Sequence, residues 1–145
     1  MPASGTVCFR EREVAGPAAD RPVVSADHGL AGWRSVRRNL ELACADAGID
    51  ADEARIATAL ARFEVAPYAE RYPRDLTPAE RLRVACACAH AVQPEVLLLS
   101  EPTAGMPPAE AVAALRTLRA LQLQHGLTVL RTTRDAALAA AVVAA

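Results

Sequence analysis

A short, wholly apolar run between two helical patterns constrains the fold of this 145-residue chain more than any other feature. Residues 96–99 read Val-Leu-Leu-Leu and follow Pro94, which ends the preceding helical pattern. A strand this apolar is typical of a parallel sheet that helices cover on both faces. A second strand is predicted at residues 127–133, after another helical pattern. The order helix, buried strand, helix, strand therefore predicts an α/β fold with a parallel sheet.

The first half of the chain contains shorter elements. The β-branched stretches at residues 7–9 and 23–24 are separated by Gly and Pro and predict a strand pair. A helix is predicted over residues 36–47, where apolar side chains keep helical spacing. A second helix follows, and Asp50 with Glu53 forms a capping-box pattern at its start.

Three further helices are predicted in the second half. Thr77 and Glu80 form another capping box at the start of a helix that reaches about residue 91. The next helix ends at Gly126, and the last one opens at Asp135. The carboxyl ends of the two later strands, at residues 100–101 and 132–135, are where a parallel sheet places its ligands.

The charged residues exclude several function classes. The 16 basic and 17 acidic residues nearly cancel, so no overall field attracts nucleic acid or an anionic membrane. All 16 basic residues are Arg, which excludes a phosphate-binding loop of the Walker A type and a Schiff-base lysine. We expect no nucleic-acid partner and, from the residues alone, no bound cofactor.

The cysteines and histidines do not predict a metal site. Cys86 and Cys88 lie two apart in a predicted helix and point to different faces, and the three histidines are scattered. We therefore interpret the four cysteines as small buried apolar residues of a reducing compartment. The first ten residues lack the apolar run of a signal peptide, and the longest apolar run, residues 136–145, is half of the ~20 that a membrane span needs. These features predict a soluble, cytoplasmic chain without membrane insertion.

A family resemblance covers nearly the whole chain. Residues 71–108 resemble the segment of ABC transporter ATPases that runs from the signature helix to Walker B. Residues 125–135 are similar to the switch-histidine strand and turn, and residues 20–42 to the Q-loop and the helices after it. The stretch at residues 16–21 and the region of Trp33 are similar to the nitrate/sulfonate/taurine importer branch.

The resemblance implies one partial P-loop NTPase-like domain over residues 1–145. In that domain, helices flank a parallel sheet, a helical subdomain spans residues 33–91, and the N-terminal Walker A portion has no counterpart. The implied ligands are ATP and Mg²⁺. The implied partners are a membrane permease subunit and a second ABC ATPase subunit, at the inner face of the cell membrane.

The resemblance places two altered nucleotide motifs in the first part of the match. Ala26 stands where the family has the Q-loop Gln, and it offers no ligand atom. The signature appears as Leu-Thr-Pro-Ala-Glu, so that Thr77, Ala79 and Glu80 occupy cofactor-binding positions. Pro78 has no N–H to donate to a phosphate oxygen, and the carboxylate of Glu80 repels a triphosphate.

The resemblance also places altered catalytic positions after the two later strands. Ser100 stands at the metal-orienting Asp of Walker B, while Glu101 keeps the position of the general base. Arg134 stands at the switch His and cannot shuttle a proton. The D-loop Asp is also absent, from residues 105–107. Glu101 is the one catalytic group retained, and it has no metal or phosphate cradle to act with.

Each altered position also has a structural interpretation. Thr77 and Glu80 cap a helix, Ser100 and Glu101 end a strand in solvent, and Arg134 pairs with an acid or caps carbonyl groups. Trp33 either packs within the chain or contacts the membrane subunit, which the resemblance places opposite its loop.

Three functional hypotheses remain open. The first is an importer ATP-binding subunit with impaired or absent ATP hydrolysis. The second is a non-catalytic module that pairs with an intact ABC ATPase or a permease and modulates it. The third is a decayed fragment, in which an unpaired apolar sheet edge promotes aggregation.

Overall fold

A computed structural model describes residues 5–15, 21–25 and 28–143 of the chain. In this part the strands form two sheets. Strands β1 (Cys8–Phe9) and β2 (Arg12–Glu13) form an antiparallel pair. Strands β3 (Val23–Val24), β4 (Leu97–Ser100) and β5 (Val129–Thr132) form a parallel sheet in the order β3-β4-β5. The predicted α/β fold with a parallel sheet is confirmed.

The helices account for about half of the chain. They are α1 (Val36–Asp46), α2 (Glu53–Arg62), α3 (Pro78–Ala91), α4 (Pro108–His125) and α5 (Ala136–Val143). Two 3₁₀ turns, Ala66–Tyr68 and Pro73–Asp75, connect α2 to α3. The predicted helices are therefore present, and their boundaries agree to within a few residues of the predicted ones. The predicted helical subdomain contains α1, α2 and α3, and its boundaries stay a prediction.

Helix α3 lies at the centre of the core. Helices α1, α2 and α4 and strands β3 and β4 all contact it. Leu82, Val84 and Cys86 are completely buried, and most of the other core positions of α3 are Ala or Cys. Small side chains let neighbouring helices approach closely. A helix with little amphipathic character has no polar face to expose to solvent, so it suits the centre of the core. The interpretation of the cysteines as buried residues agrees with Cys44, Cys86 and Cys88, which are buried free thiols, and is wrong for Cys8, which is exposed.

The predicted strand pair between residues 7–9 and 23–24 is wrong. The strand at Cys8–Phe9 pairs with Arg12–Glu13 across a tight turn, and Val23–Val24 pairs instead with β4 in parallel. The tight turn is built from Arg10 and Glu11, both at positive φ, and local closure is entropically cheaper than pairing across a longer loop.

The predicted cap of α2 also differs. Asp52, not Asp50, caps the helix: its Oδ1 accepts a hydrogen bond from the N–H of Arg55 at 2.8 Å. The N–H of Ile49 donates to the carbonyl of Cys44, so the residues after α1 are held against that helix and α2 starts two residues later. In the described residues no helix combines the length and the apolar character that a membrane span requires.

Candidate functional site at the carboxyl end of the sheet

A cavity lies at the carboxyl ends of β4 and β5. It is lined on one side by Glu101 and Thr103, which follow β4, and on the other by Thr133 and Asp135, which follow β5. Its volume is about 440 Å³. Parallel strands bring their carboxyl ends to one edge, so residues 32 positions apart in the sequence share this cavity. Its location agrees with the edge at which the sequence places ligands.

Glu101 occupies a strained position at this edge. Its φ is +48°, in the left-handed region that few non-glycine residues adopt, and its N–H donates to the carbonyl of Thr132 at 3.1 Å. This hydrogen bond joins the ends of β4 and β5. The Glu101 side chain is one-third exposed (33%) and lines the cavity.

The structure brings Arg134 to Glu101. The Nε of Arg134 lies 4.0 Å from the Oε1 of Glu101, and the Arg134 side chain is 97% exposed. A pair at this distance and exposure contributes little to stability, because solvent screens it. The cation nevertheless stands beside the carboxylate that the resemblance places at the general base.

The residues at this edge do not fit a divalent cation. Ser100 ends β4 with an exposed, neutral hydroxyl, which is a poor ligand for Mg²⁺. Among the residues that the structure describes, no three His, Cys, Asp or Glu side chains are grouped so as to hold a metal ion. Two carboxylates line the cavity: Glu101 already faces a cation, and the Oδ1 of Asp135 accepts from the N–H of Leu138 at 3.0 Å. We therefore derive no reaction step through a metal at this site.

The signature positions lie at the start of α3 and form a closed capping box. The Oγ1 of Thr77 accepts from the N–H of Glu80 at 3.2 Å, and the Oε2 of Glu80 accepts from the N–H of Thr77 at 2.8 Å. The backbone hydrogen bond from Thr77 holds the pKa of Glu80 below its ordinary value, with a further contribution from a hydrogen bond to the Tyr68 side chain. Glu80 is therefore a carboxylate at neutral pH.

The capping box leaves little for an anion to bind at this helix start. Pro78 is the first helical residue and has no N–H, and the N–H groups of Thr77 and Glu80 are bonded to each other's side chains. Ala79, half-buried between them, offers only its backbone. The negative charge of Glu80 adds repulsion to any phosphate that approaches.

Trp33 is presented to solvent on a loop that a single buried side chain holds. The Trp33 side chain is 78% exposed, and its loop precedes α1. The Oδ1 of the buried Asn39 accepts from the N–H of Ala31 at 2.8 Å, and its Nδ2 lies 3.0–3.1 Å from three carbonyl oxygens that accept from it, those of Ala31, Arg34 and Ser35. Asn39 therefore anchors both sides of the Trp33 loop.

The predicted site residues thus fall into three places. Glu101 and Arg134 meet at the end of the sheet, with Ser100 next to them. Thr77 and Glu80 meet at the start of α3, and Trp33 stands on its own loop. Ala26, the Q-loop position, lies outside the described residues.

Sequence reasoning missed two positioning residues. Asn39 interrupts the apolar face of α1 between Val36 and Leu40. A polar residue on an apolar helix face indicates a buried side chain that forms hydrogen bonds, and this is the sequence signal that could have found it. The second is His28, whose Nε2 donates to the carbonyl of Pro102 at 3.0 Å and ties the loop after β3 to the turn after β4. No local pattern predicts this contact, because the two residues are 74 positions apart.

Comparisons with known proteins agree with the resemblance. The chain is 38% identical over 104 residues to the nitrate import ATP-binding protein NrtD of Synechocystis, covering 70% of this chain and 39% of that protein. It is 35% identical over 103 residues to the taurine import ATP-binding protein TauB of Yersinia pestis, covering 70% of this chain and 40% of that protein. No protein-family model matches the chain.

The fold gives the same result. CbiO1 from Clostridium perfringens, described as part of the ABC transporter complex CbiONQ, superposes with a TM-score of 0.75 at 25% sequence identity. The match covers 92% of this chain and 57% of CbiO1. The chain spans about two fifths of the length of the curated relatives NrtD and TauB. Sequence and fold together identify the chain as a member of the ABC transporter ATP-binding protein family.

Proposed function

We propose that the chain is the counterpart of part of an importer ATP-binding subunit and that it does not hydrolyse ATP by itself. The observation that carries this proposal is the closed capping box at the signature positions. Thr77 and Glu80 use their polar groups on each other, so a nucleotide phosphate would meet a carboxylate and a proline there. The contact between Arg134 and Glu101 supports the same conclusion at the other site, because it places a permanent cation beside the retained carboxylate.

Steady-state phosphate release in the presence of Mg²⁺ and ATP tests the proposal. We expect no release above the protein-free background, and no change in the Glu101→Gln variant. Glu95→Gln is the matched control, because Glu95 lies before β4, at the opposite end of that strand. Hydrolysis that Glu101→Gln abolishes and Glu95→Gln retains would overturn the proposal.

A second candidate function is a non-catalytic module that docks on an importer complex and modulates it. The exposed Trp33 on its anchored loop favours this candidate, because Trp is enriched at the energetic centres of interfaces. The partners of this proposal are a membrane permease and an intact ATP-binding subunit, and its location is the inner face of the membrane. The altered signature of this chain predicts that the chain inhibits the ATP-binding subunit with which it pairs.

Mixing experiments separate the second candidate from the first. The chain, added to an intact ABC ATP-binding subunit and its permease, is expected to co-elute with them and to lower their ATPase rate. Trp33→Ala is expected to weaken the association by about thirtyfold or more, as at a hot spot. Leu123→Ala, which truncates an exposed apolar residue on α4, is the control. A mixture with unchanged rate and unchanged mass contradicts this candidate.

A further inference from the structure

A second cavity lies between α2 and the end of α3 and shares no lining residue with the cavity at the sheet edge. We refer to it as the arginine cavity. Its polar lining residues are Asp52, Arg55, Thr58, Arg62, His90 and Gln93. Its volume is about 300 Å³, at the lower end of the range for small-ligand sites. Arg55 and Arg62 lie seven positions apart on α2, which puts both on one face of that helix.

Both guanidinium groups of the arginine cavity contact uncharged acceptors. Arg55 donates from Nη1 to the carbonyl of Ala91 at 3.0 Å, and its Nε is buried without an acceptor. The Nη1 of Arg62 lies 2.8 Å from the Nε2 of His90. Within the part of the chain that the structure describes, neither side chain forms an ion pair with a carboxylate.

The contact between Arg62 and His90 fixes the state of the imidazole. A guanidinium can only donate, so the Nε2 of His90 accepts, and the ring is neutral with its proton on Nδ1. The ring of Phe63 packs edge-on against His90, with the centroids 5.6 Å apart. His90 therefore positions Arg62 without adding charge to the cavity.

The balance of charge in the arginine cavity is positive. Asp52 contributes one carboxylate, but its Oδ1 is engaged with the N–H of Arg55 as the cap of α2. Two guanidinium groups against this one carboxylate leave an excess of one positive charge. A cavity with a positive excess and a buried, unused N–H donor is suited to an anion, because both the charge and the donor are then satisfied.

We propose that the arginine cavity binds a phosphate-type oxyanion, held between the guanidinium groups of Arg55 and Arg62. Tetrahedral oxyanions match the planar donor array of arginine, and the small volume selects a free phosphate or the phosphate group of a small metabolite. The proposal is independent of the nucleotide motifs, because none of the cavity's lining residues belongs to them.

His90 supplies a readout inside the cavity. Burial, and then the charges of Arg62 and His125, lower the pKa of His90. A bound anion next to Arg62 offsets the effect of that cation and favours the imidazolium form. Binding is therefore expected to raise the pKa of His90, measured by the NMR shift of its ring proton and assigned with His90→Gln.

The test titrates the 145-residue chain separately with inorganic phosphate and with glycerol 3-phosphate, while potassium chloride holds the ionic strength constant. We expect a saturable change in the NMR shift of His90. The probe with the lower dissociation constant shows whether the cavity prefers free phosphate or the phosphate group of a small metabolite. Arg62→Gln is expected to weaken binding by at least about tenfold, whereas Arg62→Lys keeps part of it. Arg116→Gln, at an exposed position on α4, removes the same charge and is expected to leave binding unchanged.

Three results would overturn the proposal: no saturation at millimolar concentrations of either probe, the same response to chloride, or equal binding by Arg62→Gln and wild type. If Arg62→Gln does not fold, the wild-type titration and Arg62→Lys decide the question by themselves. A failure here leaves the proposed function unaffected, since no probe in this experiment is a nucleotide and no ATPase rate is measured.

Discussion

Among single residues, Asn39 determines how Trp33 is presented. Its amide oxygen accepts from one N–H of the loop that carries Trp33, and its amide nitrogen contacts three carbonyl oxygens there. Replacing it with an apolar residue removes the partner of the Ala31 N–H and of the Arg34 carbonyl, whereas the carbonyls of Ala31 and Ser35 keep backbone N–H donors. A buried polar group left unpaired is the costly way to lose a hydrogen bond. Loop order and stability are therefore coupled at this one position.

Asn39→Ala is expected to lower the free energy of unfolding by about 1–3 kcal/mol. It is also expected to lower the fluorescence anisotropy of Trp33, because the loop is no longer held. Trp33 is the single tryptophan, so intrinsic fluorescence reports on this loop directly. Gln124→Ala, at an exposed position of α4, is the control and is expected to change stability by no more than about 0.5 kcal/mol. Unchanged anisotropy in Asn39→Ala would show that the loop does not depend on Asn39.

Among the elements, α3 depends on its capping box, and that dependence varies with pH. Because the pKa of Glu80 is lowered below its ordinary value of 4.5 in the folded chain, its contribution to stability is fully present above that value. The contribution is lost as the pH falls through the lowered, folded-state pKa. The stabilising form is the carboxylate, which accepts from the N–H of Thr77.

We expect Glu80→Gln to be less stable than wild type at neutral pH and to approach wild type as the pH falls below 4.5 and through the lowered pKa of Glu80. Thr77→Ala removes the other half of the box and is expected to cost about 1 kcal/mol. Its cost falls less with pH than that of Glu80→Gln, because the hydroxyl does not titrate. Urea unfolding of the three proteins at several pH values measures these differences. A cost of Glu80→Gln that does not change with pH would contradict the assigned role of the carboxylate.

Local signals explain why some elements could be predicted from the sequence and others could not. The box at Thr77 and Glu80 and the end of α4 at Gly126, with φ +64°, depend on residues a few positions apart. Asp50 and Asp52 are both good caps, and the choice between them depends on the contact between Ile49 and α1. A pairing between residues distant in the sequence has no such local signal, which is why the predicted partner of β3 is wrong.

At the scale of the whole molecule, sites formed by residues distant in the sequence also lack a local signal. The sequence predicts that a site forms where the strands end, because parallel strands share an edge, and the cavity between Glu101 and Asp135 lies there. The arginine cavity has no such topological rule. Arg62 and His90 are 28 positions apart, and only the packing of α2 on α3 brings them together.

The outer strands of the sheet govern how the whole 145-residue chain behaves in solution. In the described residues β3 and β5 are the two edges, and Leu130 on β5 is 60% exposed. Edge strands with exposed apolar residues pair with other chains, and an edge lysine opposes this pairing. We therefore expect wild type to self-associate with rising concentration and Leu130→Lys to shift it toward monomer.

Sedimentation velocity over a range of concentrations measures the shift. Leu123→Lys is the matched control, because Leu123 is 70% exposed but lies on helix α4 rather than on a strand. Equal effects of the two substitutions would assign the change to added charge, and a monomeric wild type would contradict the prediction. A monomeric Leu130→Lys that unfolds in one cooperative transition would show that the core around α3 is sufficient to hold the fold, which argues against a decayed fragment.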